Sequence, residues 1–259
     1  MTDRDFLTAA HQAADAAAEI IQHYYTAGVA VSYKSDTTPV TQADIESEHA
    51  ILDVLRSHFP EHGFYGEETG QADLDAEYLW LIDPIDGTKS FVRGYPFFST
   101  QIALMRRGEL IMGLSNASVF GQRAWAQVGQ GAYLNGDPLK VATTQDWSAA
   151  SVSTGNLKSL ATSTRWSALG ELLAQANRTR GYGDFYHYHL LAQGSIDVVI
   201  ESDLNILDIA ALAVIVREAG GQVSDLAGQP LTLATRDLLA ACTPVLHHKA
   251  LQHLAWAQR

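Results

Sequence analysis

The segment Tyr78-Leu-Trp-Leu-Ile82 is an unbroken apolar run that ends in Asp83-Pro84-Ile85-Asp86. A short run without polar alternation reads as a buried strand. Such a strand must pair within a sheet and be covered by other layers, and this one must also deliver two carboxylates, Asp83 and Asp86, at its exit. Pro84 stiffens the turn between them, and Gly87 lets backbone come close to a ligand. A helix is expected to start near Thr88, where free N–H groups suit a phosphate. Hard cations such as Mg²⁺ take carboxylate and carbonyl oxygens and are often completed by substrate phosphate. The simpler reading, a helix start with an Asp cap and a turn glycine, accounts for one Asp better than for the whole arrangement Trp80–Thr88.

Around this strand the chain changes character midway. Residues 4–25 carry Phe6, Leu7, Ala10, Ala14, Ala17, Ile20, Ile21 and Tyr24 at helical spacing. Lys34–Val40 reads as extended. A second helix is expected after Thr41, with Ile45, Ile51, Leu52 and Leu55 on its inner face and Pro60 beyond its end. Residues 98–105 and 110–119 read as strands joined at Gly108, and 124–128 and 131–134 as strands joined at Gly129. This half is expected to be antiparallel. After about residue 145 strands and helices alternate: strand 151–154, helices 165–176 and 185–194, strand 196–201, helix 207–219 closed by Gly220-Gly221, strand 238–243, and helix 245–257. The expected units are 1–145 and 146–259, packed together over a shared cleft.

The 259 residues are 47% hydrophobic with a net charge of −12, which suits a full core and argues against a general nucleic-acid binder. No apolar run reaches the ~20 residues of a membrane helix, the N-terminus lacks a signal-peptide pattern, and the single cysteine, Cys242, excludes a disulfide within one chain. A cytoplasmic location without membrane association is expected. Cys242 reads as a small buried residue. The zinc, P-loop and Gly-x-Ser-x-Gly patterns are absent, and His58, His62, His247 and His248 show no ligand spacing.

Three further acidic segments gain meaning beside Asp83 and Asp86. Glu67-Glu68 follows the apolar Phe64-Tyr65 and, alone, would be a solvated loop. Asp208 opens an apolar helix and fits either a first-turn cap acid or a metal ligand. Asp44 stands three residues after Thr41, as in a capping box, and fits either capping or an outer position around a metal.

Asp83-Pro84-Ile85-Asp86-Gly87-Thr88, Gly66-Glu67-Glu68 and Asp208 with Glu218-Ala219-Gly220-Gly221 together resemble the inositol monophosphatase family over nearly the whole chain. The resemblance implies a layered α/β/α/β/α sandwich, a Mg²⁺-dependent phosphatase with two or three ions per site, and a homodimer. It implies that Glu67, Asp83 and the carbonyl of Ile85 hold one ion, that Asp83, Asp86 and Asp208 hold a second, and that a looser third lies near Glu67 and Asp44. Glu67 and Thr88 would orient the attacking water, and Asp86, Gly87 and Thr88 would border the phosphate. One departure is Leu207, where the family usually has Trp.

Two segments bear on substrate. Thr88–Gly94 and Arg180–Tyr188 resemble the bacterial histidinol-phosphate phosphatase branch. Histidinol phosphate carries an amine and an imidazole, so its pocket wants acidic acceptors and flat walls. Asp184 and Glu201 suit the cationic groups, and Tyr186 or Tyr188 the ring. The other reading places Asp184 in a turn and the tyrosines in the core. The rivals are an inositol or sugar phosphatase with the same metal site and a non-catalytic binding protein of the same fold. The complete set Glu67, Asp83, Asp86, Thr88 and Asp208 disfavours the latter.

Overall fold

The computed structural model describes residues 3–28, 31–33 and 39–255. In chain order the elements are α1 (Asp3–Ala27), β1 (Val31–Tyr33), β2 (Pro39–Thr41), α2 (Gln42–His58), β3 (Gly63–Gly66), β4 (Gly70–Ala72), β5 (Tyr78–Asp86), α3 (Thr88–Val92), β6 (Ser99–Arg106), β7 (Glu109–Ala117), β8 (Gln122–Gln127), β9 (Ala132–Leu134), β10 (Asp137–Pro138), β11 (Ser151–Thr154), α4 (Lys158–Ala161), α5 (Arg165–Ala174), β12 (Arg178–Arg180), α6 (Asp184–Ala192), β13 (Val198–Ser202), α7 (Ile206–Glu218), β14 (Gln222–Ser224), β15 (Asp237–Ala241) and α8 (Pro244–Ala255).

The apolar run of β5 is unbroken because both of its faces are covered. Trp80 and Ile82 point into one core, shared with Ala13 and Ala17 of α1 and Leu52 of α2. Leu79 and Leu81 point into the other, shared with α7. β5 lies inside an eight-stranded sheet of order β10-β9-β8-β7-β6-β5-β3-β4, and a second sheet has the order β12-β11-β13-β15-β14. α1 and α2 cover one face of the large sheet, α7 covers the other with α6 beside it, and α8 packs on β14 and β15 with α5 alongside. The result is the expected α/β/α/β/α sandwich.

α7 is apolar on nearly every side, from Ile206 to Val216, because it is enclosed between the sheets. It lies so close to β7 that a Cβ on Gly113 would sit 2.3 Å from the carbonyl oxygen of Ala211. Among the described residues no helix is long and apolar enough to cross a membrane.

The structure corrects two expectations and bears on a third. The first half is not wholly antiparallel, because β3 pairs parallel to β5, with Tyr65 opposite Leu81. The inner face of α2 is Ala43, Asp44, Ser47, Glu48, Ile51, Leu52 and Leu55, with Ile45 only half-buried. The polar part of that face lies under the site described below. Of the segment expected to be extended, residues 34–38 lie outside the described residues, while Pro39–Thr41 is a strand paired with β1.

Candidate active site

Residues three apart on a regular strand point to opposite faces. Asp83 and Asp86 escape this because β5 carries an extra residue. Asp83 stands opposite Gln101 and Asp86 opposite Ser99, so three steps on β5 match two on β6. The bulge returns both side chains to one side. It is held by the hydroxyl of Thr100, which donates to the carbonyl of Pro84 at 2.9 Å, and by the N–H of Ile85, which donates to Asp83 Oδ1 at 3.0 Å. Gly87 follows at φ 92°, and a Cβ there would lie 2.5 Å from the carbonyl oxygen of Phe97. The close approach that demands glycine is thus to the chain's own backbone.

Two helix starts complete the cluster, and both use the same device. Thr41 caps α2, and its N–H donates to Asp44 Oδ2 at 2.8 Å. Asn205 caps α7, and its N–H donates to Asp208 Oδ2 at 2.8 Å. In each capping box one carboxylate oxygen is spent on the backbone, and the side chain is thereby held with its second oxygen available. For Asp44 that oxygen, Oδ1, lies 3.2 Å from the Thr88 hydroxyl, which is also 3.1 Å from the carbonyl of Ile85. The alternatives of cap and site residue are therefore compatible in one side chain.

Oxygens of Asp83, Asp86 and Asp208 lie within 4.8 Å of one another, Asp83 buried and the other two half-buried. Glu67 hydrogen-bonds to Asp83 and adds its charge to the group. Removal from water, then mutual repulsion, pushes the Asp83 and Asp86 carboxyls well above the usual range. Burial raises Asp208 to about 7, and Asp44 is raised chiefly by burial. Carboxylates gathered this way resist ionising together unless a cation joins them. The donor set is all oxygen, which suits a hard ion such as Mg²⁺.

Beside this cluster is a second acidic group. A small cavity is lined by Asp86, Asn156, Asp184, Tyr188, Glu201, Leu204 and Asp208, among others. Glu201 is buried. Its Oε2 receives the Tyr188 hydroxyl at 2.9 Å and lies 3.0 Å from His187 Nε2, while Oε1 receives the Asn156 N–H at 3.0 Å. Asp184 opens α6 at φ 47°, and burial, then the charge of Glu201, raises its carboxyl to about 6.

The structure thus brings together Asp44, Glu67, Asp83, Ile85, Asp86, Thr88 and Asp208, with Asp184 and Glu201 adjoining. Tyr188 is buried and serves Glu201 through its hydroxyl, whereas Tyr186 is half-buried among Phe97, Phe120 and Tyr182. The sequence reading missed His187, three residues after Asp184 and so on its side of α6. It also missed Glu48, one helical turn after Asp44. Glu218 bonds the N–H groups of Gly129 and Gly131, tying the β8–β9 turn to α7.

Comparison with known proteins agrees with this geometry. The model of the inositol monophosphatase family matches residues 3–259. A histidinol-phosphatase of Streptomyces coelicolor is 38% identical over 236 residues, 87% of this chain and 88% of its own. The chloroplastic bifunctional phosphatase IMPL2 of Arabidopsis thaliana is 34% identical, covering 97% of this chain and 75% of its own. The structure of an inositol monophosphatase from Zymomonas mobilis superposes with a TM-score of 0.87 at 31% identity, covering 98% of this chain and 99% of that one. With its bulged strand, its paired capping boxes and its acidic cluster, the chain belongs to the inositol monophosphatase family and is a phosphoric monoester hydrolase.

Proposed function

We propose that the chain is a Mg²⁺-dependent phosphatase that hydrolyses L-histidinol phosphate to L-histidinol and phosphate. The observation that carries this reading is the placement of Asp184 and Glu201 beside Asp86 and Asp208 around one cavity. The phosphate end of a substrate is served by the metal-binding carboxylates. The remaining pair faces whatever carries the phosphate, and a leaving group with an ammonium and an imidazole matches two carboxylates. A neutral polyol offers that pair hydrogen bonds but no positive charge to match it. The kinship with the Streptomyces histidinol-phosphatase supports the same reading.

In this reading Glu67, Asp83 and the Ile85 carbonyl would hold one ion and Asp83, Asp86 and Asp208 a second, and Glu67 and Asp44 would hold a looser third. Bound Mg²⁺ eases deprotonation of water and neutralises charge that develops on the phosphoryl and leaving oxygens. Thr88 orients the attacking water. Its hydroxyl has one proton and two acceptors in reach, Asp44 Oδ1 and the Ile85 carbonyl, so its oxygen is free to accept from water while it donates to either. Glu67 shares the orienting role. Asp86, Gly87 and Thr88 border the phosphate. Asp184 and Glu201 bind the cationic groups, and Glu201 is kept in orientation by Asn156, Tyr188 and His187.

The test is phosphate release from histidinol phosphate, inositol 1-phosphate and a nucleotide bisphosphate, each with and without Mg²⁺. A metal-dependent preference for histidinol phosphate is expected. Faster turnover of inositol phosphate would overturn the substrate assignment, and activity unaffected by Mg²⁺ removal would overturn the metal assignment.

A further inference from the structure

Glu48 is fully buried on α2, one turn beyond Asp44. Both of its oxygens are taken by main chain: Oε2 receives the N–H of Glu68 at 2.9 Å and Oε1 that of Thr69 at 2.7 Å. These are the two residues that follow Glu67. On the other side, the N–H of Glu67 donates to the carbonyl of Ile82 on β5 at 3.2 Å. The residue before, Gly66, has no room for a side chain, since a Cβ would lie 2.3 Å from Glu48 Oε1.

A buried carboxylate is costly unless hydrogen bonds offset its loss of water, and charge-assisted bonds to N–H groups are the strong kind. Here those bonds go to the loop that carries Glu67. The loop is held between a β5 carbonyl and an α2 carboxylate, while the same helix presents Asp44 to Thr88. We propose that Glu48 is a positioning residue. It pins the backbone after Glu67 so that the Glu67 carboxylate is held at Asp83, ready for a divalent cation. The inference rests on the reading in which Glu67 is a metal ligand. Glutamine at 48 would turn an N–H₂ toward one of the two backbone N–H groups, so the isosteric change breaks the clamp.

The test is Mg²⁺ binding by titration calorimetry, without substrate, on the wild-type protein and on Glu48→Gln, Gly66→Ala and Glu67→Gln, with thermal unfolding in EDTA alongside. Both Glu48→Gln and Gly66→Ala are expected to weaken Mg²⁺ by about 10- to 100-fold, as lost support of a ligand does. If Glu67→Gln weakens Mg²⁺ while these two lower only the melting temperature, Glu48 is merely structural and the inference is overturned. If Glu67→Gln changes nothing, the ligand assignment fails and takes the inference with it. Should either variant not fold, hydrogen exchange on the wild-type protein decides. The Glu68 and Thr69 amides are expected to be as protected as the core of α2, and rapid exchange would overturn the clamp.

Discussion

The Thr88 hydroxyl stands 3.2 Å from Asp44 Oδ1, joining the exit of β5 to the first turn of α2. Asp44 can hold this position because its other oxygen is bound by the N–H and hydroxyl of its own cap, Thr41, at 2.8 and 2.6 Å. If this pair orients water, Thr88→Ala should lower kcat by about 10²- to 10⁴-fold. Thr88→Ser should keep most of the rate, because the hydroxyl is retained. Steady-state kinetics at saturating Mg²⁺ check both, and equal losses in the two variants would contradict the role.

The acidic cluster also sets a pH dependence. Asp208 is raised to about 7 and Asp184 to about 6, chiefly by burial, whereas an unfolded Asp titrates near ~3.9. Between these values the folded chain holds more protons than the unfolded one. The contribution of these groups is therefore fully present below about pH 4 and is lost as pH rises through their folded values. In EDTA it should decline from about pH 4 to about pH 7. Mg²⁺ competes with the same protons, so the rise in melting temperature it causes should grow with pH. Calorimetry with and without Mg²⁺ checks this, and a pH-independent Mg²⁺ effect would contradict it.

Asp184→Asn removes one charge from the cavity without changing its shape. A hydrogen bond to a charged group contributes about 1.5–3 kcal/mol, so kcat/KM for histidinol phosphate should fall by about 10- to 100-fold. The rate on inositol phosphate should hold or rise. A parallel loss on both substrates would place Asp184 in the general machinery instead.

Gly113→Ala tests the close packing of α7. The new Cβ would lie 2.3 Å from the Ala211 carbonyl oxygen and 2.7 Å from its Cα, and backbone cannot step aside as a flexible side chain would. A destabilisation of about 1–3 kcal/mol in urea unfolding is expected. Mg²⁺ affinity should weaken too, since α7 carries Asp208. An unchanged unfolding midpoint would contradict this packing.

What the sequence made legible follows the strength of each local signal. The buried strand with its two acids was readable because a double-sided core leaves an unbroken apolar run. The Thr41 box was readable from spacing, although spacing left open whether Asp44 caps or serves the site. β3, β12 and β14 were not readable, since each is short and forms through pairing with residues 15 or more positions away, and β4 follows from β3, with which it makes a tight hairpin. The bulge that turns Asp83 and Asp86 to one side depends on the register with β6, which no local pattern states. Glu48 and His187 escaped notice because charged and polar residues are usually exposed, and their burial is known only once α2 and α6 are in place.

The most direct measurement is kcat/KM of the wild-type protein, with Mg²⁺, for histidinol phosphate and for the same ester lacking its amine. If Asp184 and Glu201 receive the cation, removing the amine should cost about 10- to 100-fold, as expected for a lost bond between charged groups. Equal values for the two esters would contradict the claim that this acidic cavity selects the substrate.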